Sequence, residues 1–174
     1  MKARVSLLCL SLMCLGQMCG APTPRPSSSP IAEGTYVGAM HMTVTSMINT
    51  DIYEETSSTE SLTVLFGPRG LLLNDYNQEI AVGDSSELSW GGMSLQSTVT
   101  SIVTNVNSLV VQYDVTMYAP EDFEGLVFQG PAVDTFTVTD SRTLRYHSII
   151  NLGTFADSTS WSIRLEANGT LSRL

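Results

Sequence analysis

Lysine is almost missing from this chain: Lys2 is the only one, and the remaining cations are Arg4, Arg25, Arg69, Arg142, Arg145, Arg164 and Arg173, set against 17 acidic residues for a formal net charge of −9. Nucleic acid and anionic membrane surfaces are held by clustered lysine and arginine, so neither is an expected partner; the acidity itself keeps a protein in solution. Cysteine is scarce as well. Cys9, Cys14 and Cys19 all precede residue 20, so a domain over residues 34 to 174 folds without disulfides, which its length permits. Only two histidines are present, His41 and His147. A zinc or copper site would need carboxylates to complete it, and both histidines fall on the mostly polar parity of predicted strands, as exposed strand residues do. The chain also lacks a nucleophile elbow, a phosphate-cradling glycine loop and a dinucleotide fingerprint. No catalytic residue, metal or cofactor is therefore assigned, and a non-enzymatic protein is expected. The acidic stretch Glu121-Asp122-Phe123-Glu124 offers oxygens, but at the spacing of no calcium loop, and reads as a solvated loop.

Past the first residues no long apolar run occurs. Lys2 and Arg4 precede the apolar stretch Val5 to Leu15, which is too short to span a bilayer and reads as a secretory signal peptide over residues 1–20. Residues 21–33 hold Pro22, Pro24, Pro26, Ser27, Ser28, Ser29 and Pro30, a composition that gives an extended, flexible tether. The protein is thus expected to be secreted or displayed at a cell surface or in the periplasm.

What the rest of the chain has in abundance is alternation. Residues 93 to 118 form its centre, with Met93, Leu95, Val99 and Val103 on one parity, then Leu109, Val111, Tyr113, Val115 and Met117, and Asn105-Val106-Asn107-Ser108 as the turn between. This period of two marks a long hairpin with one buried face. Residues 34 to 48 alternate likewise, with Tyr36, Met40, Met42 and Val44 on the apolar parity. Asn49 to Glu60 reads as a polar loop, Leu62 to Phe66 as a strand, and Gly67-Pro68-Arg69-Gly70 as a turn. Short strands are expected at 79–82 and 126–128, the latter at a sheet edge before Gly130-Pro131, with Gly83 to Gly92 as connecting turns around Trp90. Further strands are expected around Phe136 and Val138, around Leu144 to Ile150, and around Trp161 to Leu165. Asn168-Gly169 then has the dipeptide preferred in a two-residue hairpin turn, and with Thr170 it also spells a glycosylation acceptor. Helical periodicity is absent from residues 34 to 174. The expected fold is all-β: a single domain at 34–174, an antiparallel meander of about 8–10 strands closed as an up-and-down barrel, with a two-sheet β-sandwich as the alternative.

Two resemblances follow from particular residues. Cys19, standing where the apolar run gives way to Gly20-Ala21, resembles the lipid-modified cysteine of bacterial lipoproteins, with Gly16-Gln17-Met18 ahead of it. That implies an acyl anchor in a bacterial membrane; the other reading is a leader residue removed on export. Gly34-Thr35-Tyr36, entering the first strand, resembles the glycine-x-tryptophan entry of the lipocalin and avidin-like barrels, with tyrosine in the tryptophan's place. The resemblance implies an arginine from a late strand packed against the entry aromatic, for which Arg164 and Arg173 are the candidates. It also implies an interior able to hold an apolar ligand. Tyr36, Met40, Met42, Tyr113, Met117 and Tyr146 share the inward parity and form the candidate pocket lining, since thioethers and hydroxyl-bearing rings suit an adaptable apolar site. They suit a packed core equally. Two functions are weighed: a non-enzymatic surface or secreted protein presenting loops to a protein partner, and a carrier of a small apolar molecule.

Overall fold

The computed structural model describes residues 29–74, 76–90, 93–118, 127–156 and 159–174. The expected signal peptide, Cys19, the acidic stretch at 121–124 and residues 21–28 of the tether lie outside them. Among the described residues the architecture is all-β. The strands are β1 (Gly34–Ile48), β2 (Asp51–Phe66), β3 (Ser85–Trp90), β4 (Met93–Thr104), β5 (Ser108–Tyr118), β6 (Val127–Val138), β7 (Thr143–Ala156) and β8 (Thr159–Arg173). They form one antiparallel sheet in the order β2-β1-β8-β7-β6-β5-β4-β3.

Ring contacts show that this sheet is rolled. Phe66 on β2 and Phe136 on β6 stand four strand spacings apart, which in a flat sheet would be about 19 Å; their ring centroids are 5.3 Å apart. The inner faces therefore meet across a common core, and a two-sheet sandwich is excluded by the single continuous sheet. Full closure is corrected too. A hydrogen-bonded barrel needs a β2–β3 ladder, and β2 and β3 are instead the two edges.

The physical reason lies in the connection between them. After Phe66 the chain folds back on itself in short rungs, Phe66 opposite Leu72 and Leu73 opposite Glu79, and Gly83 and Asp84 then bond to Val99 on β4. Residues 67–84 thus fill the gap at one end of the roll, while β3, six residues long against sixteen for β2, is too short to zip up the other. The carboxylate of Glu79 steadies this connection by accepting from the Arg69 backbone N–H at 2.7 Å and pairing with its guanidinium. Ile31 caps the same end, 3% exposed, where Ser29 donates to the Arg69 carbonyl. Residues 29–33 are accordingly docked on the domain.

Curvature of this degree needs backbone without side chains at the bends. Gly38, Gly130 and Gly169 occupy the inward parity of β1, β6 and β8. A Cβ added there would meet a backbone oxygen of the paired strand at 2.0, 1.8 and 2.7 Å respectively, the close approach that interior strand glycines permit. Gly169 is therefore no hairpin turn. It sits within β8, opposite Met40 on one side and Tyr146 on the other, and Asn168 is an exposed mid-strand residue.

Other sequence expectations shift by small amounts. The central hairpin stands as expected over β4 and β5, with Leu109, Val111, Tyr113, Val115 and Met117 all buried. A bulge between Val99 and Ser101 reverses the parity beyond it, so Val103 is exposed and Ile102 packs against the core. Asn49 to Glu60 is mostly strand, because Asn49 with φ of 56° makes a tight turn directly into β2. Residues 127–138 form one central strand, flanked by β5 and β7. Its ladder to β7 skips the Gly130 and Pro131 rungs without changing register, as a residue lacking N–H requires. Residues 85–90 pair with β4 and are strand where connecting turns are expected.

Candidate functional site

The six residues nominated for a pocket all reach the interior. Tyr36, Met40 and Met42 project from β1, Tyr113 and Met117 from β5 and Tyr146 from β7, none more than 5% exposed. They belong to one continuous apolar cluster that runs from Ile31 to Leu171. Within it Tyr36, Phe66, Phe136 and Tyr146 form a chain of rings linking β1, β2, β6 and β7. Centroid separations of 5.4, 5.3 and 5.1 Å, the first two edge-to-face, are the favourable geometry for aromatic pairs. At this level the interior is occupied by the protein's own rings. Tyr36 donates its hydroxyl hydrogen to the Ala32 carbonyl at 3.1 Å; burial pushes its phenol up, opposed by the charge of Arg173. Of the two arginines named for the entry aromatic, Arg173 stands opposite Tyr36 in the β1–β8 ladder and against Gly34. Arg164 is turned outward and bonds Glu166.

Sequence reasoning missed the one buried acid among the described residues. Asp134 is 4% exposed, on the inner face of β6, with Val111 of β5 and Ser148 of β7 directly beside it. Tyr146 donates to its Oδ1 at 3.1 Å, and Ser148 and Tyr113 also donate to it. The signal was available: Ala132, Asp134 and Phe136 share one parity, so an acid sits where alternation demands an apolar side chain. Two of the tyrosines proposed for ligand contact thus also hold the side chain of Asp134.

Desolvation raises the Asp134 pKa above the ordinary aspartate range, with Ser148, Tyr146, Tyr113 and the nearby His147 pulling it back. The folded state thus favours the protonated acid. Stability contributed by this group is greatest below the unfolded-state pKa and declines as pH rises through the raised folded-state value. Asp134→Asn is expected to flatten that decline, read as urea midpoints across the acid-to-neutral range. Tyr146→Phe strips a donor from a buried acceptor and is expected to cost about 1–3 kcal/mol at neutral pH; a wild-type midpoint independent of pH would refute the assignment.

The outer face is polar. Glu166 lies 3.2 Å from Arg164 and 3.5 Å from His147, and the bond from Arg164 is the largest of the influences holding its carboxyl below the usual range. His41 is exposed, and among the described residues no cluster of three metal-ligating side chains occurs. At the far end from Ile31, the β1–β2 hairpin extends beyond the core: residues 51–57 are exposed on both parities, with Ile52 and Tyr53 at 64% and 70%.

No protein-family model matches this chain, and neither a curated protein nor a solved structure matches it.

Proposed function

We propose that this is an exported, non-enzymatic β protein, secreted or held at a cell surface, that engages a protein partner through its loops and projecting strands. The observation that carries this reading is the ring-packed core: the rings of Tyr36, Phe66, Phe136 and Tyr146 touch in sequence across the roll, within an apolar cluster that is continuous from Ile31 to Leu171. Binding surface is then left to the outside, where residues 51–57 project with both faces in solvent. The order of strands, together with Arg173 against Gly34 and opposite Tyr36, supports kinship with the lipocalin and avidin-like barrels, in a form whose β2 and β3 are not joined.

Export rests on the leader at 1–20, and attachment to a bacterial membrane on Cys19. Intact-mass measurement of the membrane fraction tests both, since acylation adds a diacylglycerol mass to a chain starting at Cys19. A soluble product starting beyond Cys19 means secretion without an anchor. For function, titration of the chain with fatty acids, retinoids or haem is expected to leave the fluorescence of Trp90 and Trp161 flat. A saturable change abolished by Met42→Trp or Met117→Trp would replace this reading with that of an apolar-ligand carrier.

A further inference from the structure

Edge strands expose a row of unpaired N–H and C=O groups, and proteins protect them with short length, proline, lysine or bulges. β3 is protected by being short. β2 is not: it runs for sixteen residues, contains neither proline nor lysine, is covered on its outer edge at Leu65 and Phe66 by Leu72 and Leu73 but over residues 51–60 pairs only with β1, and carries its single bulge against Ser46/Met47 near the hairpin turn. Over residues 51–60 its flanking surface is also mostly bare on both parities. A free backbone edge open on both faces is the geometry by which an added strand is accepted.

Charge selects the occupant. Asp51, Glu54, Glu55 and Glu60 lie on this stretch, and Asp84 and Glu87 border the gap from the β3 side. Between residues 26 and 141 the chain has one cation, Arg69, already paired to Glu79, and Arg164 of β8, in line with Glu55 across Thr45, is bonded to Glu166. A second copy is the wrong partner. Two β2 strands pairing antiparallel about Ser57 would set Glu54 opposite Glu60, and pairing about Glu55 would set the two copies of Glu55 against each other; like charges directly opposed are destabilising. The protein's own residues 22–26 are equally unsuited, because Pro22, Pro24 and Pro26 cannot donate to a ladder.

We propose that the free edge of β2 over residues 51–60 is a docking site for an extended segment of another protein, bearing lysine or arginine at alternate positions. The added strand would complete the ladder with backbone bonds while its cations, all on one face, meet Glu54 and Glu60, which share a face of β2. This rests on the reading of the protein as a partner-binding one and names the chemistry of that partner.

Hydrogen exchange on the full chain tests it, with a decapeptide of alternating lysine and threonine as the probe. Amides of residues 51–60 that face the free edge are expected to exchange about tenfold more slowly with this peptide present. Alternating glutamate–threonine and lysine–proline peptides are expected to give no protection, nor is the lysine–threonine peptide on the variant Glu54→Lys/Glu55→Lys/Glu60→Lys. Equal protection by the lysine–proline peptide would reduce the effect to charge attraction and overturn the proposal, as would protection confined to other residues. Protection of 51–60 that rises with protein concentration alone would assign the edge to a second copy and overturn it as well. None of these outcomes depends on the tryptophan titration, so failure here leaves the broader partner-binding reading standing, and failure there is seen separately.

Discussion

Phe136→Ala is expected to lower the unfolding free energy by about 3–5 kcal/mol, the range for removing a buried ring from a close-packed core. Phe136 is 0% exposed and its position makes the loss larger than area alone suggests. It is the ring that joins Phe66, across the roll on β2, to Tyr146, on the neighbouring β7. Removing it leaves a void bounded by two aromatic faces whose strands are fixed in their ladders and have little freedom to close in. In a urea titration the midpoint should fall with the slope unchanged, the signature of lost stability without a change in the unfolded chain. Phe136→Leu keeps most of the volume and should fall by roughly half as much or less. If Phe136→Ala cost less than about 1 kcal/mol, well below any core ring truncation, the two sides of the sheet would not be in contact, and the rolled architecture would be wrong.

The residues that carry this contact were readable as inward-facing from alternation alone, and so was most of the fold. Where a strand has one wet face and one dry face, as β5 does from Leu109 to Met117, side-chain chemistry repeats every second residue and the strand announces itself. The failures have a common physical origin in pairing, which a local pattern does not contain. Residues 51–57 form strand only because β1 bonds them along one edge; with both parities exposed, no alternation records the fact. Asn168-Gly169 obeys the local chemistry of a turn, yet β1 and β7 hold Gly169 flat between them, and tertiary bonding overrides the dipeptide. The parity of Ile102 and Val103 was lost at the bulge after Val99, where one extra residue swaps the faces. For the candidate site, inward parity located Tyr113 and Tyr146 but not their business with Asp134, since an acid on a dry parity is intelligible only once its three donors are in view.

Gly130→Ala is expected to destabilise the protein by about 3 kcal/mol or more, at or beyond the upper end of ordinary overpacking penalties. The added Cβ would stand 1.8 Å from the Asn151 carbonyl oxygen, 2.9 Å from its carbon and 3.3 Å from the Leu152 Cα. All of these are backbone atoms of β7 in a ladder that cannot swing aside as a side chain would. Relief would require β6 to move away from β7 where the ladder already lacks the Pro131 donor, leaving the adjoining rungs at Gln129 and Ala132 to part in turn. Gly153 supplies the control within the same strand pair. Opposite Gln129 on β7, its added Cβ would meet only the Trp161 carbonyl oxygen at 3.7 Å, an ordinary contact, and its backbone lies outside the left-handed region. Gly153→Ala is expected to be neutral or to stabilise by about 0.4–1 kcal/mol through the narrower unfolded ensemble. The pair separates two accounts of strand glycine: if both variants lost stability equally, backbone flexibility rather than the close approach of β6 to β7 would be what the fold requires, and the explanation of its curvature by side-chain-free bends would fail.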